Sequence, residues 1–307
     1  MKFTLLLGIL KCVISITQSE LSTLEEISSI TLIAYCLKYG LKAGNVSDSC
    51  VLSICQSSEF EVIETFNFGD FKEVGSGFLG LDYFKKRILL IFRGTASTTD
   101  WINNLESVPI PYLPLHLNDC FGCRIHKGFY NFLKQKSAKL IYNTHLLKLQ
   151  YPNFKLLVAG HSLGGALSVL AGIELQIMGD EPLIVTFGGP RIGNWIFSKW
   201  VDNLFQLENV IVNITNTGEI KTGYIRVTHS GDPVPKLPPP PIYRHCGVHF
   251  EIKKRRGYIS NKDVDLVNPV RSENELSDDE RRENEKAGRN TDNKVDPSNV
   301  LKLWPEQ

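Results

Sequence analysis

The sequence predicts an α/β protein with a mostly parallel central sheet flanked by helices, and three observations carry that expectation. From residue 154 onward short apolar runs alternate with helical patterns: strand 155–159, a helix from 163, strand 183–187, a helix over 194–205 and strand 224–228. Strands and helices in turn build parallel sheets, because each crossover lays a helix on a sheet face. Residues 88–92 (Ile-Leu-Leu-Ile-Phe) are apolar without alternation, as a strand covered on both faces must be. Finally, 42% of the 307 residues are hydrophobic, close to the globular average, which excludes disorder along the whole chain.

The elements follow in chain order. Met1-Lys2, the apolar stretch 3–10, Lys11, residues 12–16 and the small-x-small exit Thr17-Gln18-Ser19 read as an export signal over 1–19. Lys11 interrupts the apolar core, so a retained or anchoring segment is the other reading. The expected location is the secretory pathway, either secreted or held in the endoplasmic reticulum (ER). The sequons Asn45-Val46-Ser47 and Asn213-Ile214-Thr215 fit a glycosylating compartment. Ser22-x-x-Glu25 has the form of a capping box, and Leu24, Ile27, Ile30, Ala34 and Leu37 recur at helical spacing until Gly40. Two β-rich runs between Gly75 and Gly94, turning over 81–86, predict a hairpin. A helix over 128–149 carries Leu133, Leu140 and Leu147 on one stripe. Residues 272–299 have almost no apolar side chains and mix both signs of charge, so they cannot bury enough surface to offset their chain entropy. One globular domain is expected over 20–268, followed by a polar tail over 269–307.

Charge narrows the function. Lys plus Arg number 34 against 33 Asp plus Glu, a formal net charge of +1. That balance lacks the basic footprint of nucleic-acid binding and suits a small or neutral substrate. Past the N-terminus no apolar run approaches the 18 or so residues of a membrane span. If Cys12 leaves with the signal, Cys36, Cys50, Cys55, Cys120, Cys123 and Cys246 remain, and six cysteines allow fifteen pairings. The local pairs Cys50–Cys55 and Cys120–Cys123 are the easiest to close in an oxidising compartment. Cys120-Phe121-Gly122-Cys123 could also serve redox chemistry or zinc. Redox use wants a strand-to-helix turn and zinc wants a second ligand pair at short spacing, and neither accompanies it. No metal or organic cofactor is indicated.

The chemistry centres on Gly160-His161-Ser162-Leu163-Gly164, a G-x-S-x-G pattern. Chance alone gives it about once in ten chains of this length, so its setting matters. An apolar strand ends directly at Gly160 and an apolar helix begins at Leu163. A serine on so sharp a turn takes strained dihedrals, needs small neighbours, and projects its Oγ above the sheet at a helix N-terminus. The bland alternative is an ordinary glycine-rich turn. Serine also needs a base, usually a histidine oriented by a carboxylate. Asp232, in Thr228-His229-Ser230-Gly231-Asp232-Pro233 after strand 224–228, suits the orienting role. From position alone it is equally a turn aspartate before a proline.

Several motifs then agree in order and spacing. Gly160 to Gly165, Thr186-Phe187-Gly188-Gly189-Pro190-Arg191-Ile192-Gly193-Asn194, and Arg226-Val227-Thr228-His229 leading to Asp232-Pro233-Val234-Pro235-Lys236-Leu237-Pro238-Pro239 resemble the fungal class 3 lipases, secreted yeast triacylglycerol lipases in particular. Arg93-Gly94-Thr95, His126-Lys127-Gly128-Phe129 and Tyr243-Arg244-His245-Cys246-Gly247 match as well, and the likeness covers roughly 20–255. The resemblance implies an α/β-hydrolase fold, Ser162 as nucleophile, Asp232 as triad acid, and an oxyanion hole from the N–H of Leu163 with Thr95. It implies an acylglycerol or other ester as substrate. It also implies a lid near 96–110 that contacts a lipid surface, where Trp101, Leu105 and Val108 fall on one face; simple packing is the other reading of that stripe.

The last segment departs from the family pattern. The seven histidines are 116, 126, 145, 161, 229, 245 and 249, and none follows His249. The resemblance puts the catalytic histidine late, and its counterpart in Asn299-Val300-Leu301-Lys302-Leu303-Trp304 is Val300, which cannot accept a proton. The late cysteine that would partner Cys36 is missing too. His245 matches a family histidine that is not the base, so His249 is the only remaining candidate late in the Ser–Asp–His order. Two functions therefore stand side by side: a hydrolase working through acyl-Ser162, or an inactive homologue that binds lipid or a protein partner.

Overall fold

The computed structural model describes residues 14–56, 58–67, 75–95, 108–115, 120–254 and 257–267. The predicted lid stripe at Trp101 and Leu105, His116, and the tail with Val300 lie outside these residues.

The chain enters through β1 (Ile14–Ser15) and α1 (Gln18–Ile33), continued by a 3-10 turn over Ala34–Tyr39 that Gly40 closes at φ 97°. The capping box is one turn earlier than expected: Thr17 accepts from the Glu20 N–H, and the Glu20 carboxylate takes the Thr17 N–H at 2.5 Å. Thr17 wins because Ser22 falls inside the helix, where all N–H groups already have partners. Next come β2 (Gly44–Asn45), the single-turn helices α2 (Val46–Ser49) and α3 (Ser53–Gln56), and β3 (Glu61–Phe66). The predicted hairpin is β4 (Gly77–Asp82) and β5 (Arg87–Phe92), followed by the small ribbon β6 (Pro109–Pro111) and β7 (Arg124–His126). The helix expected over 128–149 is interrupted: α4 (Lys127–Phe132) passes through a π-turn over Leu133–Ser137 into α5 (Ala138–Gln150).

Then the alternation runs as predicted. β8 (Lys155–His161) leads to α6 (Leu163–Ile177), β9 (Leu183–Phe187) to α7 (Trp195–Leu204) and α8 (Leu207–Thr217), and β10 (Gly223–His229) to β11 (Val248–Ile252) and β12 (Val264–Val267). The strands form one sheet in the order β1-β12-β11-β10-β9-β8-β5-β4-β3-β2. The central run β5-β8-β9-β10-β11 is parallel and the flanking pairs are antiparallel.

Side-chain alternation divides the interior into two layers. Leu89, Ile91, Leu157, Ala159, Val185, Ile225 and Val227 face one core with α1 and α8, while Ile88, Leu90, Leu156, Val158 and Ile184 face the other with α4 to α7. The uniformly apolar strands of the sequence are thus buried on both sides. The local pairs Cys50–Cys55 and Cys120–Cys123 are disulfide-bonded, and Cys36 and Cys246 are buried free thiols.

One feature of this packing fixes the position of the site. A Cβ on Gly164, in the first turn of α6, would stand 2.5 Å from the Phe92 carbonyl oxygen and 2.6 Å from that of Arg93. Backbone cannot yield there, so Gly164→Ala is expected to cost about 1–3 kcal/mol and several degrees of Tm. A Cβ on Gly172, two turns on, would meet the movable end of Ile184 at 2.3 Å. Ile184 is fully buried and also presents its Cγ1 at 2.6 Å, but a side chain can yield where backbone cannot and alanine has the better helix propensity, so Gly172→Ala should lower Tm less than Gly164→Ala. Thermal unfolding of the two variants checks the contrast; equal losses would refute it.

Candidate active site

Four loops meet at one edge of the sheet because β5, β8, β9 and β10 are parallel and end together. They are Arg93-Gly94-Thr95 after β5, Ser162 after β8, Gly188-Gly189 after β9 and the Ser230-Gly231-Asp232 turn after β10. Each residue singled out in the sequence at these strand ends lies on this edge.

Ser162 has φ 54° and ψ −124°, a conformation that side chains rarely adopt. It is held there from both sides. Its N–H donates to the Phe187 carbonyl at 2.9 Å, and its own carbonyl accepts from the Gly165 N–H at 2.9 Å. The turn is too tight for side chains: a Cβ on Gly160 would lie 2.2 Å from the Gly164 oxygen, and one on Gly94 would lie 3.1 Å from the Ser162 Cβ. Ser162 is buried, and its Oγ has no hydrogen-bond partner among the described residues. It caps no helix N–H either, although it stands at the start of α6. A buried hydroxyl left unpaired is costly, and such exceptions concentrate at reactive sites. Leu163, next along, begins the helix, so its N–H belongs to the first turn that has no intrahelical acceptor. Thr95 is half-buried two residues beyond Arg93.

Asp232 is buried. Its Oδ1 accepts from the Val234 N–H at 2.9 Å, and its Oδ2 has no partner among the described residues. Burial pushes its carboxyl up to about 6, opposed by that N–H and by the charges of His229 and Lys236. Arg191 fastens the loop that follows: its N–H donates to the Leu237 carbonyl at 2.7 Å and its guanidinium to the carbonyls of Lys236 and, at 3.0 Å, Pro238.

Asp232 and His161 face one cleft between the sheet edge and α1, lined also by Ser28, Tyr35, Gly188 and Thr228. A point one Cβ out from Gly188 lies 2.8 Å from Asp232 Oδ2 and 3.7 Å from His161 Nε2, so the two groups approach each other there. The His161 Nδ1 is 2.7 Å from the Tyr35 hydroxyl, and burial pulls the imidazole down to about 4. Tyr35 also takes the Gly94 N–H at 3.1 Å. Neither Tyr35 nor Arg191 stands out as a site residue from the sequence. Tyr35 reads as one more residue of a helical run, and the meaning of Arg191 depends on carbonyls more than forty residues later.

His249 sits elsewhere. It lies on β11 opposite Arg226 of β10, three residues before the strand's carboxyl end, with its Nε2 2.7 Å from Thr228 Oγ1. Three strand spacings separate β11 from β8, about 14 Å, which puts this imidazole out of reach of Ser162. Burial holds it neutral, its basicity well below the ordinary range. His245, half-buried, donates through Nε2 to the Pro235 carbonyl at 2.7 Å, and desolvation likewise holds its basicity well below the ordinary range.

Residues 89–241 match the family Lipase (class 3). The Saccharomyces cerevisiae protein LIH1 is 36% identical over 196 residues, 59% of this chain and 59% of that protein. The secreted mono- and diacylglycerol lipase 2 of Gibberella zeae is 32% identical over 245 residues, 71% of this chain and 58% of the relative. The chain thus spans about three fifths of the length of these two relatives. Among solved structures, the Lip2 lipase of Yarrowia lipolytica matches at 30% identity with a TM-score of 0.70, over 83% of this chain and 86% of that one. With the serine elbow, the sheet order and this likeness in agreement, the chain belongs to the fungal class 3 lipases and has their α/β-hydrolase fold.

Proposed function

We propose that the protein is an ester hydrolase, acting on acylglycerols or related carboxylic esters through an acyl-serine intermediate at Ser162. The observation that carries this reading is the strained, buried Ser162 whose Oγ is left without a partner at a helix N-terminus. On this reading the Oγ attacks the ester carbonyl carbon as its proton passes to a base. The carbonyl oxygen becomes an oxyanion, which the Leu163 N–H and Thr95 stabilise. Collapse breaks the bond to the alcohol, and water then releases the acid. The strand that leads into the Asp232 turn, β10, lies two strand spacings from β8, about 9.5 Å, which leaves room for an imidazole between acid and serine. The substrate class draws on relatives named as mono- and diacylglycerol lipases. Secretion is supported by secreted relatives and by two disulfides, and among the described residues no helix is long and apolar enough to cross a membrane. Retention in the ER is the alternative location, and a lid over 96–110 is part of the same proposal.

A second reading, a homologue that binds lipid or a partner without turning it over, is favoured by one observation. No described histidine hydrogen-bonds the Ser162 Oγ. Hydrolysis of short- and long-chain p-nitrophenyl esters separates the two. Oxyanion stabilisation and binding alone leave about 10³–10⁴-fold over water even without the serine, so the hydrolase reading expects turnover above that level, falling to it in Ser162→Ala and untouched by His249→Ala. Thr95→Val should lower kcat by about 10²-fold or more. Rates equal in wild type and Ser162→Ala would leave the binding reading.

Asp232 gives a separate test of whether a cationic partner occupies the gap. Its ordinary value is 3.8 and its folded value about 6. Between those pH values the unfolded chain has lost this proton while the folded protein holds it, so this group's contribution to stability falls as pH rises and is fully lost above about 6. Asp232→Asn removes that penalty, so its Tm relative to wild type should improve between pH 4 and pH 6 and then level. A variant that gains nothing between pH 4 and pH 6, and whose deficit relative to wild type shrinks only below about pH 4, would show a cation paired with the carboxylate, as a histidine base would be.

A further inference from the structure

We propose that Tyr35 is a positioning residue for the hydrolytic site: its hydroxyl bridges the strand end that carries Thr95 to the turn that carries Ser162. This rests on the hydrolase reading above and adds a residue to it. The hydroxyl lies 3.1 Å from the Gly94 nitrogen and 2.7 Å from His161 Nδ1. Gly94 directly precedes Thr95 and His161 directly precedes Ser162, so one oxygen sets the distance between the oxyanion loop and the nucleophile loop.

The gap it controls is narrow. A Cβ on Gly94 would lie 2.7 Å from the Tyr35 oxygen, 3.0 Å from the His161 carbonyl oxygen and 3.1 Å from the Ser162 Cβ. Two backbones and the phenol therefore meet within one side-chain width. The ring is fixed in its turn, with the Arg93 guanidinium 5.9 Å from its centroid and the His161 ring tilted against it at 6.0 Å.

The hydrogen-bond roles follow from what each group can give. The Gly94 N–H can only donate, so the phenol oxygen accepts there. The remaining phenol proton has one acceptor within reach, His161 Nδ1. His161 is thereby fixed as the neutral tautomer with its proton on Nε2, the nitrogen nearer Asp232 Oδ2 across Gly188. Tyr35 itself does not touch a reacting atom. It acts through Gly94 and His161, and removing its hydroxyl frees both loops to shift by the few tenths of an ångström to which oxyanion geometry is sensitive.

The test is Tyr35→Phe in the full chain, followed by labelling of Ser162 with a p-nitrophenyl alkylphosphonate. The limiting rate at saturating probe should fall roughly tenfold while the probe's half-saturation concentration stays the same. Tyr112→Phe is the control, since it removes another buried hydroxyl contact, to Glu174 at 3.2 Å, in the core layer on the opposite sheet face. It should lower Tm comparably and leave labelling unchanged. Labelling of Tyr35→Phe at the wild-type rate overturns the positioning role and leaves the hydrolase reading intact. Failure of the wild type to label overturns both. A second measurement needs no variant: nitrogen-15 NMR of the wild type should show His161 protonated on Nε2, and a proton on Nδ1 would overturn the bridge.

Discussion

The N-terminus of α6 meets the end of β5 backbone to backbone, and the geometry of the candidate site depends on that contact. With Gly164 against the Phe92 and Arg93 carbonyls and Gly160 against the Gly164 oxygen, the helix starts within atomic contact of the sheet. The turn between them must then reverse in two residues, which forces Ser162 to a positive φ. The strain is local, but its support is distributed. Hydrogen bonds from Ser162 to β9 and of Gly188 to Val227 tie the turn to the neighbouring strands. Loosening any one of them would let the serine relax to an ordinary conformation and turn its hydroxyl away.

The same close packing shapes the electrostatics. Water is largely displaced from the edge, so Asp232 is held near 6 and His161 near 4, each pushed toward its uncharged form. The shifts oppose each other in their effect on stability. The aspartate penalises the fold as pH rises from about 4 to 6, and the histidine penalises it as pH falls from about 6.5 to 4. An edge that disfavours fixed charge accommodates a neutral ester and makes any negative charge developing on it depend on nearby N–H donors, which are already in place at the start of α6.

How much of this was legible in the sequence varies with distance along the chain. The parallel core was readable because continuous apolar strands and the strand–helix alternation are local patterns. The elbow was readable because its small residues sit side by side in one short run, with Gly160 packed on Gly164, although the contact of Gly164 with Phe92 and Arg93 is distant in sequence. α8 was missed although Leu207, Val210 and Ile214 give it an apolar face, since it follows α7 with only Phe205 and Gln206 between them. β3 and β12, each next to a two-residue edge strand, went unread because charged residues (Glu61 and Glu64, Asp265) break their short apolar runs. Tyr35 could not be found at all: its partners lie 59 and 126 residues away, and nothing in its neighbourhood marks it.

The histidines show where the site's chemistry is complete and where it is thin. Besides His161, each imidazole among the described residues already has a structural task. His126 caps α4 through the Gly128 N–H, His145 pairs with Asp180 at 2.9 Å, and His229 donates to the Lys254 carbonyl at 2.7 Å. His245 and His249 are fixed by Pro235 and Thr228. Recruiting any of these would break a bond, at a cost of the order of 1–3 kcal/mol where the setting is buried and less for the exposed bond of His229. His161 and His229 both line the cleft that Asp232 faces; His229 is tied to the Lys254 carbonyl, and an imidazole held near 4, as that of His161 is, makes a poor proton acceptor at neutral pH. On the proposed reading, nucleophile and oxyanion donors are built to a demanding geometry while proton acceptance is not. Deprotonation of Ser162 is then the step that sets the rate, and the pH dependence of turnover follows whichever group supplies that acceptor.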